Sequence, residues 1–354
     1  MLRIVPGESR KIIGSTALAL LFAAAAVNAQ DDTLRILFIG NSHTYYNDLP
    51  QLFVDLSASG GHPVVKDMSA PGGHTLEQHT TNPNTLAKIS QGIWDYVVLQ
   101  EQSQYPVIEY YRFNSMYPSA RFLDSIITSY DQQTVLYMTW GWRYGGMHTI
   151  NGHSSPDFLD YFHMQDSVSA AYFMLANELN TTLIPAGNAW ATAWAIDSSN
   201  SFWHEDTYHP TIFGSYLAAC VFYFRLFHES PVGLPFTAGI DSAFAAFLQA
   251  AAEQTILAIG DEPNHLPQSF EILQNYPNPF NSQTAIEYYL LDSEHVSLDI
   301  YDLLGRKIKT IIDEYQTQGV HRIVWDARSR STGIYFYRIV IGDYAESKSM
   351  ILLK

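Results

Sequence analysis

Cysteine is almost missing from this chain: Cys220 is the single one in 354 residues. One thiol cannot close an internal disulfide, so the fold has to be held by its cores. Cys220 lies in an apolar helical stretch, Thr211 to Phe227, which suits a buried structural thiol. Charge is also sparse, at 15% of residues, and cations are scarcer than anions, 19 Lys and Arg against 35 Asp and Glu. The deficit is concentrated: residues 30 to 268 hold 7 basic and 23 acidic residues, residues 269 to 354 hold 9 and 11. A field of that sign repels nucleic acid and other polyanions and favours a neutral substrate. Long apolar runs are lacking beyond the first thirty residues. The run there, Ala17 to Val27, is shorter than the roughly 20 residues that span a bilayer. It follows Arg3, Arg10 and Lys11 and ends at Val27-Asn28-Ala29, so residues 1 to 29 are expected to be a cleaved secretory leader, with no transmembrane segment in the mature chain. His74 with His79, and His148 with His153, come without a third ligand at a recognised spacing, so neither a metal nor a cofactor is expected.

What is present is apolar and aromatic material, 47% and 14% of the chain, enough for two cores. From Thr33 to about Gly260, short apolar runs alternate with longer helical ones, the rhythm of a parallel sheet covered on both faces. The expected strands are Leu34 to Ile39, Pro63 to Met68, Tyr96 to Gln100, Thr134 to Thr139 and Thr182 to Pro185. The expected helices are Leu49 to Ser57, Pro118 to Tyr130, Pro156 to Leu179, Thr211 to Phe227 and Ser242 to Leu257. Gly141 to Ser155 reads as a long glycine-bearing loop, a candidate lid on the site. Residues 259–269, rich in proline and polar side chains, read as a linker between a domain over 30–258 and a second over 270–354. Six short β-rich segments after it predict a small antiparallel sandwich.

The chemistry is carried by few residues. Gly40-Asn41-Ser42-His43 breaks the first strand and displays Ser42 at its carboxyl end, where α/β enzymes place nucleophiles. Asp206 and His209, three apart and just before Pro210, supply a carboxylate and an imidazole on one turn. His43 and His204 are alternatives for the base, but only His209 has a carboxylate three residues before it. An oxyanion needs donors, and backbone N–H groups in glycine turns give them unobstructed. Gly73, in Pro71-Gly72-Gly73-His74-Thr75 after the second strand, is the expected donor beside the Ser42 N–H. Gln102, in Gln100-Glu101-Gln102-Ser103 after the third strand, is the expected side-chain donor, with Gln100 behind it.

These blocks resemble those of the SGNH (GDSL-like) hydrolase superfamily: Gly40-Asn41-Ser42, Gly73-x-Thr75, a polar turn after strand three, and Asp206-x-x-His209. The resemblance covers roughly residues 33 to 228 and implies a flavodoxin-like α/β/α fold with a Ser-His-Asp triad that cleaves esters. In that family the third block reads Gly-x-Asn-Asp and its Asn donates to the oxyanion. Here Glu101-Gln102-Ser103 stands instead, with Gln102 at the Asn position. The C-terminal region is similar to a type A sorting domain of the type IX secretion system. Leu273 to Asn281, Ile300 to Arg306, Gly333 to Arg338 and Lys348 to Lys354 carry that likeness. It implies passage through the periplasm and outer membrane to a secreted or cell-surface location, with the type IX machinery as partner.

Trp140, Trp142 and Trp203 follow the fourth and fifth strands toward the expected site and are candidate substrate-stacking rings. Taken together, the expectation is an exported serine esterase removing acyl groups, acetyl foremost, from carbohydrate or small esters. The competing expectation is a surface glycan-binding protein on a degenerate fold of the same kind. A lipase would need an exposed apolar rim.

Overall fold

The computed structural model describes residues 33–259, 270–272, 275, 277–290, 293–317, 319–342 and 344–354. The expected leader over 1–29 and, but for Ile259, the expected linker over 259–269 lie outside the described residues.

The first domain contains β1 Leu34–Ile39, β2 Val64–Ser69, β3 Tyr96–Leu99, β4 Gln133–Met138, β5 Gly146–Ile150, β6 His153–Phe158 and β7 Thr182–Pro185. Five of these form one parallel sheet in the order β2-β1-β3-β4-β7. This is the flavodoxin-like doubly wound order, whose sites lie beyond the carboxyl ends of the strands where the order reverses. Here the reversal falls between β1 and β3. Successive strand residues face opposite sides, and β1, β3, β4 and β7 are apolar at most positions, so both of their faces are buried, while the edge strand β2, with Lys66 and Asp67, is largely open to solvent. Ile36, Phe38, Val98, Val135, Tyr137 and Ile184 pack into one core; Leu37, Ile39, Val97, Leu99, Leu136, Met138 and Leu183 pack into the other.

The helices are α1 Ser42–Tyr45, α2 Leu49–Ser59, α3 Leu76–His79, α4 Pro83–Ile89, α5 Glu109–Tyr111, α6 Tyr117–Ser129, α7 Tyr161–Leu179, α8 Ala186–Ile196, α9 Ile212–Phe227 and α10 Ser242–Ile259. Phe53 of α2, Trp190 of α8, Phe222 of α9 and Leu248 of α10 complete the first core. Leu76, Ile89, Leu123 and Tyr172, from α3, α4, α6 and α7, complete the second. By length and apolarity α10 could cross a membrane. Its Ala245, Leu248, Ala252 and Ile256 stripe, however, is buried in the first core. Cys220 is fully buried on α9, and burial pushes its thiol well above the usual range.

One expectation needs correction. The stretch expected as a loop pairs its halves into the antiparallel hairpin β5-β6, and the helix expected from Pro156 starts at Tyr161 because His153–Phe158 is a strand. Gly145 makes the hairpin's entry possible: its φ is +63° and a Cβ there would lie 2.7 Å from the Phe158 carbonyl oxygen. Helix α8 has no counterpart among the expected helices because its Ala and Trp residues are apolar all round and lack a helical stripe.

The C-terminal domain is a sandwich of β8 Phe270–Ile272, β9 Gln283–Leu290, β10 Glu294–Asp302, β11 Lys307–Gln316, β12 Gly319–Asp326, β13 Gly333–Ile341 and β14 Tyr344–Leu352. All pairs are antiparallel, in sheets ordered β11-β10-β13-β14 and β12-β9-β8. Alternation gives β10 and β13 a buried face: Val296, Leu298 and Ile300 on β10, and Tyr337, Ile339 and Ile341 on β13, point inward with Ile286, Trp325 and Met350.

Candidate active site

At the switch point the chain leaves β1 through Gly40, and Ser42 is the first residue of α1. Asn41 caps that turn, its Oδ1 accepting from the His43 N–H at 3.1 Å, while its Nδ2 donates to the His74 carbonyl at 2.8 Å. Gln100 Oε1 gathers two donors of the same turn, the Asn41 N–H at 2.8 Å and Thr44 Oγ1 at 2.9 Å. Gly40 is required here because a Cβ would overlap both Thr44 Oγ1 and Gln100 Oε1. Ser42 is therefore mounted on a turn clamped by the ends of β1 and β3.

Asp206 to His209 forms a second tight turn, in which Thr207 takes a left-handed φ of +72°. Asp206 Oδ1 accepts from the Tyr208 and His209 N–H groups at 3.1 and 2.9 Å, and its Oδ2 lies 2.7 Å from His209 Nδ1. Burial alone would raise this carboxyl, but the His209 and Tyr208 N–H groups and the imidazole together hold it below the usual carboxylate range. His209 Nε2 lies 2.8 Å from Ser42 Oγ. The turn is seated from outside by Trp140 Nε1, which donates to the Tyr208 carbonyl at 2.9 Å, and by the Arg143 N–H, which donates to that of Thr207 at 3.1 Å. Ser42, His209 and Asp206 thus form a continuous hydrogen-bonded chain, the geometry needed to pass a proton from a hydroxyl to an imidazole. Of the three histidines weighed as base, His209 is the one bonded to Ser42; His43 is buried, its Nε2 lacks a partner, and burial with the nearby His209 pulls its pKa down to about 3.

A cleft of about 410 Å³ opens over this chain, and Ser42, His209, Gly73, Gln102, Trp142 and Tyr208 line it. Gly73 has a φ of +70°, and among the described residues no acceptor takes its N–H. Gln102 Nε2 spends one hydrogen on Gln104 Oε1 at 3.0 Å, and its Oε1 accepts from the Gln104 N–H at 2.7 Å, which leaves one amide hydrogen to give. Gln104 is held in turn by His148 of β5 at 3.2 Å. Trp142 stacks on Tyr208 at 4.9 Å and donates to Ser103 Oγ. Trp140 and Trp203 are not brought to the cleft. They are 1% and 2% exposed and pack in the first core, Trp140 face to face with Trp190 at 3.7 Å and Trp203 edge-on to it. Aromatic spacing in the sequence did not separate core rings from cleft rings.

The histidine pairs are spent elsewhere. His79 bridges the Gly40 carbonyl and Thr85, His148 bridges Gln104 and the Gly145 carbonyl, and His153 stacks on Tyr110 at 3.6 Å. Among the described residues no group of three His, Cys, Asp or Glu could hold a metal ion.

Glu101 belongs to no motif, although a charge at the end of an apolar strand signals a special role. Its Oε1 accepts from the Leu76 N–H at 3.1 Å and the Gln102 N–H at 2.6 Å, joining the loops that carry Gly73 and Gln102. Burial pushes its carboxyl up to about 8 against the pull of those N–H groups, and Oε2 has no partner. In the unfolded chain the group titrates near 4.5, so between the two values the folded state keeps a proton the unfolded state has lost. The stability it contributes is full below pH 4.5 and declines as pH rises to about 8. Relative to Glu101→Gln, the wild-type melting temperature should therefore fall across that window; parallel curves would refute the assignment. The histidines act oppositely and equally in both proteins. His43 and His79, lowered chiefly by burial to about 3 and 4, cost stability as pH drops below 6.5.

With the geometry established, the relatives can be placed. The family model of the secretion system C-terminal sorting domain matches residues 274–353. No curated protein matches the chain. Among solved structures, a DUF4886 family protein from Bacteroides uniformis is 22% identical with a TM-score of 0.52, over 64% of this chain and 95% of that one. An SGNH-hydrolase candidate from Slackia heliotrinireducens is 25% identical with a TM-score of 0.44, over 54% and 97%. An acetyl xylan esterase from Geobacillus stearothermophilus is 14% identical with a TM-score of 0.38, over 59% and 97%. The chain joins an α/β domain that shares its fold with the DUF4886 structure to a secretion system C-terminal sorting domain that marks it for export to a secreted or cell-surface location.

Proposed function

We propose that the protein is an exported serine esterase that removes acyl groups, acetyl foremost, from carbohydrate or small esters. The observation that carries this reading is the chain from Asp206 through His209 to Ser42, open to a cleft lined by no lysine, arginine or glutamate. Ser42 Oγ attacks the ester carbonyl carbon while His209 Nε2 takes its proton; the tetrahedral intermediate collapses, expelling the alcohol, which receives that proton. Water then repeats the sequence on the acyl-serine, releasing the acid and restoring Ser42. Asp206 holds the imidazole in the tautomer with hydrogen on Nδ1 and stabilises its cation. The N–H groups of Ser42 and Gly73 and the remaining hydrogen of Gln102 Nε2 serve the oxyanion. Trp142 offers an apolar surface on which a sugar ring can lie, and the acidic surface suits an uncharged alcohol. The working domain is assigned to 30–258, between a leader over 1–29 and a linker over 259–269.

A fluorophosphonate probe tests this directly, because it reacts with an activated serine and not with a merely exposed one. Covalent labelling at Ser42, with acetate release from acetylated xylan or p-nitrophenyl acetate, is the expected result. The altered third block favours one competing reading, a glycan-binding protein. Saturable polysaccharide binding with no labelling and no release would establish it instead.

A further inference from the structure

The two halves of the candidate site are 167 residues apart in sequence, and their 2.8 Å hydrogen bond needs something to hold them in register. Immediately after α1 the backbone does something costly. Asn47 (φ 53°, ψ 21°) and Asp48 (φ 47°, ψ 53°) are consecutive non-glycine residues in the left-handed region. Such strain persists where the surroundings over-determine it, and it gathers at working sites. What the strained pair achieves can be read from its contacts. Asn47 Nδ2 donates to the carbonyl of Pro210, the residue after His209, at 3.0 Å, and to Ser215 Oγ of α9 at 2.9 Å. The ring of Tyr46, just before it, lies flat against the His209 imidazole at 4.3 Å and 11°. Tyr208 covers the imidazole from another direction at 4.2 Å and 40°.

We infer that the Tyr46-Asn47 turn is a positioning clamp for His209, Asn47 fixing the backbone beside the imidazole and the Tyr46 ring fixing its plane. The inference rests on the triad reading above. Two in-plane bonds, to Asp206 and Ser42, leave the imidazole free to tilt out of the line between them, and a flat ring on its face removes that freedom. The same π face is placed to favour the imidazolium that forms as Ser42 loses its proton. Neither residue touches the reacting carbonyl in this scheme; both act through His209.

The variants are chosen to delete these contacts and little else. Glycine tolerates a positive φ, so Asn47→Gly removes the amide while keeping the turn. Tyr46→Phe keeps the ring and Tyr46→Leu removes it. On p-nitrophenyl acetate, Asn47→Gly and Tyr46→Leu should lose on the order of 10- to 100-fold in kcat, the scale of a small misplacement, with KM little changed. Tyr46→Phe should retain wild-type kcat, and melting temperatures identify any variant lost to unfolding. Undiminished kcat in folded Asn47→Gly and Tyr46→Leu, or an equal loss in Tyr46→Phe, overturns the clamp while labelled wild-type Ser42 leaves the triad standing. If the fluorophosphonate fails to label the wild type at Ser42, the triad reading falls and takes the clamp with it.

Discussion

Ser42→Ala should turn over p-nitrophenyl acetate about 10⁶-fold more slowly than the wild type, the scale of loss when the nucleophile of a serine-histidine-aspartate set is removed. The size follows from the geometry. Ser42 is only partly buried, so its substitution opens no cavity, and the Asn41 cap and Gln100 bonds that shape its turn use other atoms. The variant should fold like the wild type and bind the ester as well, with the deficit confined to kcat. Fluorophosphonate labelling should vanish in parallel. Equal turnover by both proteins would remove Ser42 from the chemistry, and a melting temperature unchanged by the substitution would show that the comparison was fair.

Asp206→Asn should cost about 10⁴-fold in kcat, the effect of presenting the base in the wrong tautomer. Asp206 has two separable jobs. Its Oδ1 accepts the Tyr208 and His209 N–H groups and so builds the turn, and an asparagine oxygen can continue to do that. Its Oδ2 faces His209 Nδ1 at 2.7 Å. An amide NH₂ in that place donates, so Nδ1 must become an acceptor and the hydrogen moves to Nε2, the atom that should receive the Ser42 proton. Turn intact, tautomer reversed: kcat should fall while KM and melting temperature hold. A loss equal in kcat and stability would mean that Asp206 matters only as a turn former.

The parts legible in the sequence were those written in short-range pattern. Apolar runs at β1, β3 and β4 and the Gly40 break mark strands and the turn that carries Ser42, and the Asp206-His209 spacing marks a carboxylate and an imidazole on one turn. What escaped depends on which neighbour a residue meets. Trp142 lies in the cleft and Trp140, two positions earlier, in the core, because β4 has ended at Met138 and residues two apart, which would share one face of a strand, no longer do so beyond it. The β5-β6 hairpin was hidden by its glycines, which read as a loop but serve its turns. Glu101, Asn47 and Tyr46 carry no motif; only the fold reveals that a buried carboxyl joins two loops and that a strained turn faces an imidazole 163 residues on.

The stack of Trp140 on Trp190, 3.7 Å apart and within 5° of parallel, makes this protein its own optical gauge. Two indoles so close couple electronically through their strong far-ultraviolet transitions and should give an exciton couplet in the far-ultraviolet circular dichroism spectrum. Because Trp140 also hands its N–H to the Tyr208 carbonyl, the band senses whether the loop bearing His209 is seated. The seating of His209 can thus be followed in solution by light alone, with no substrate present.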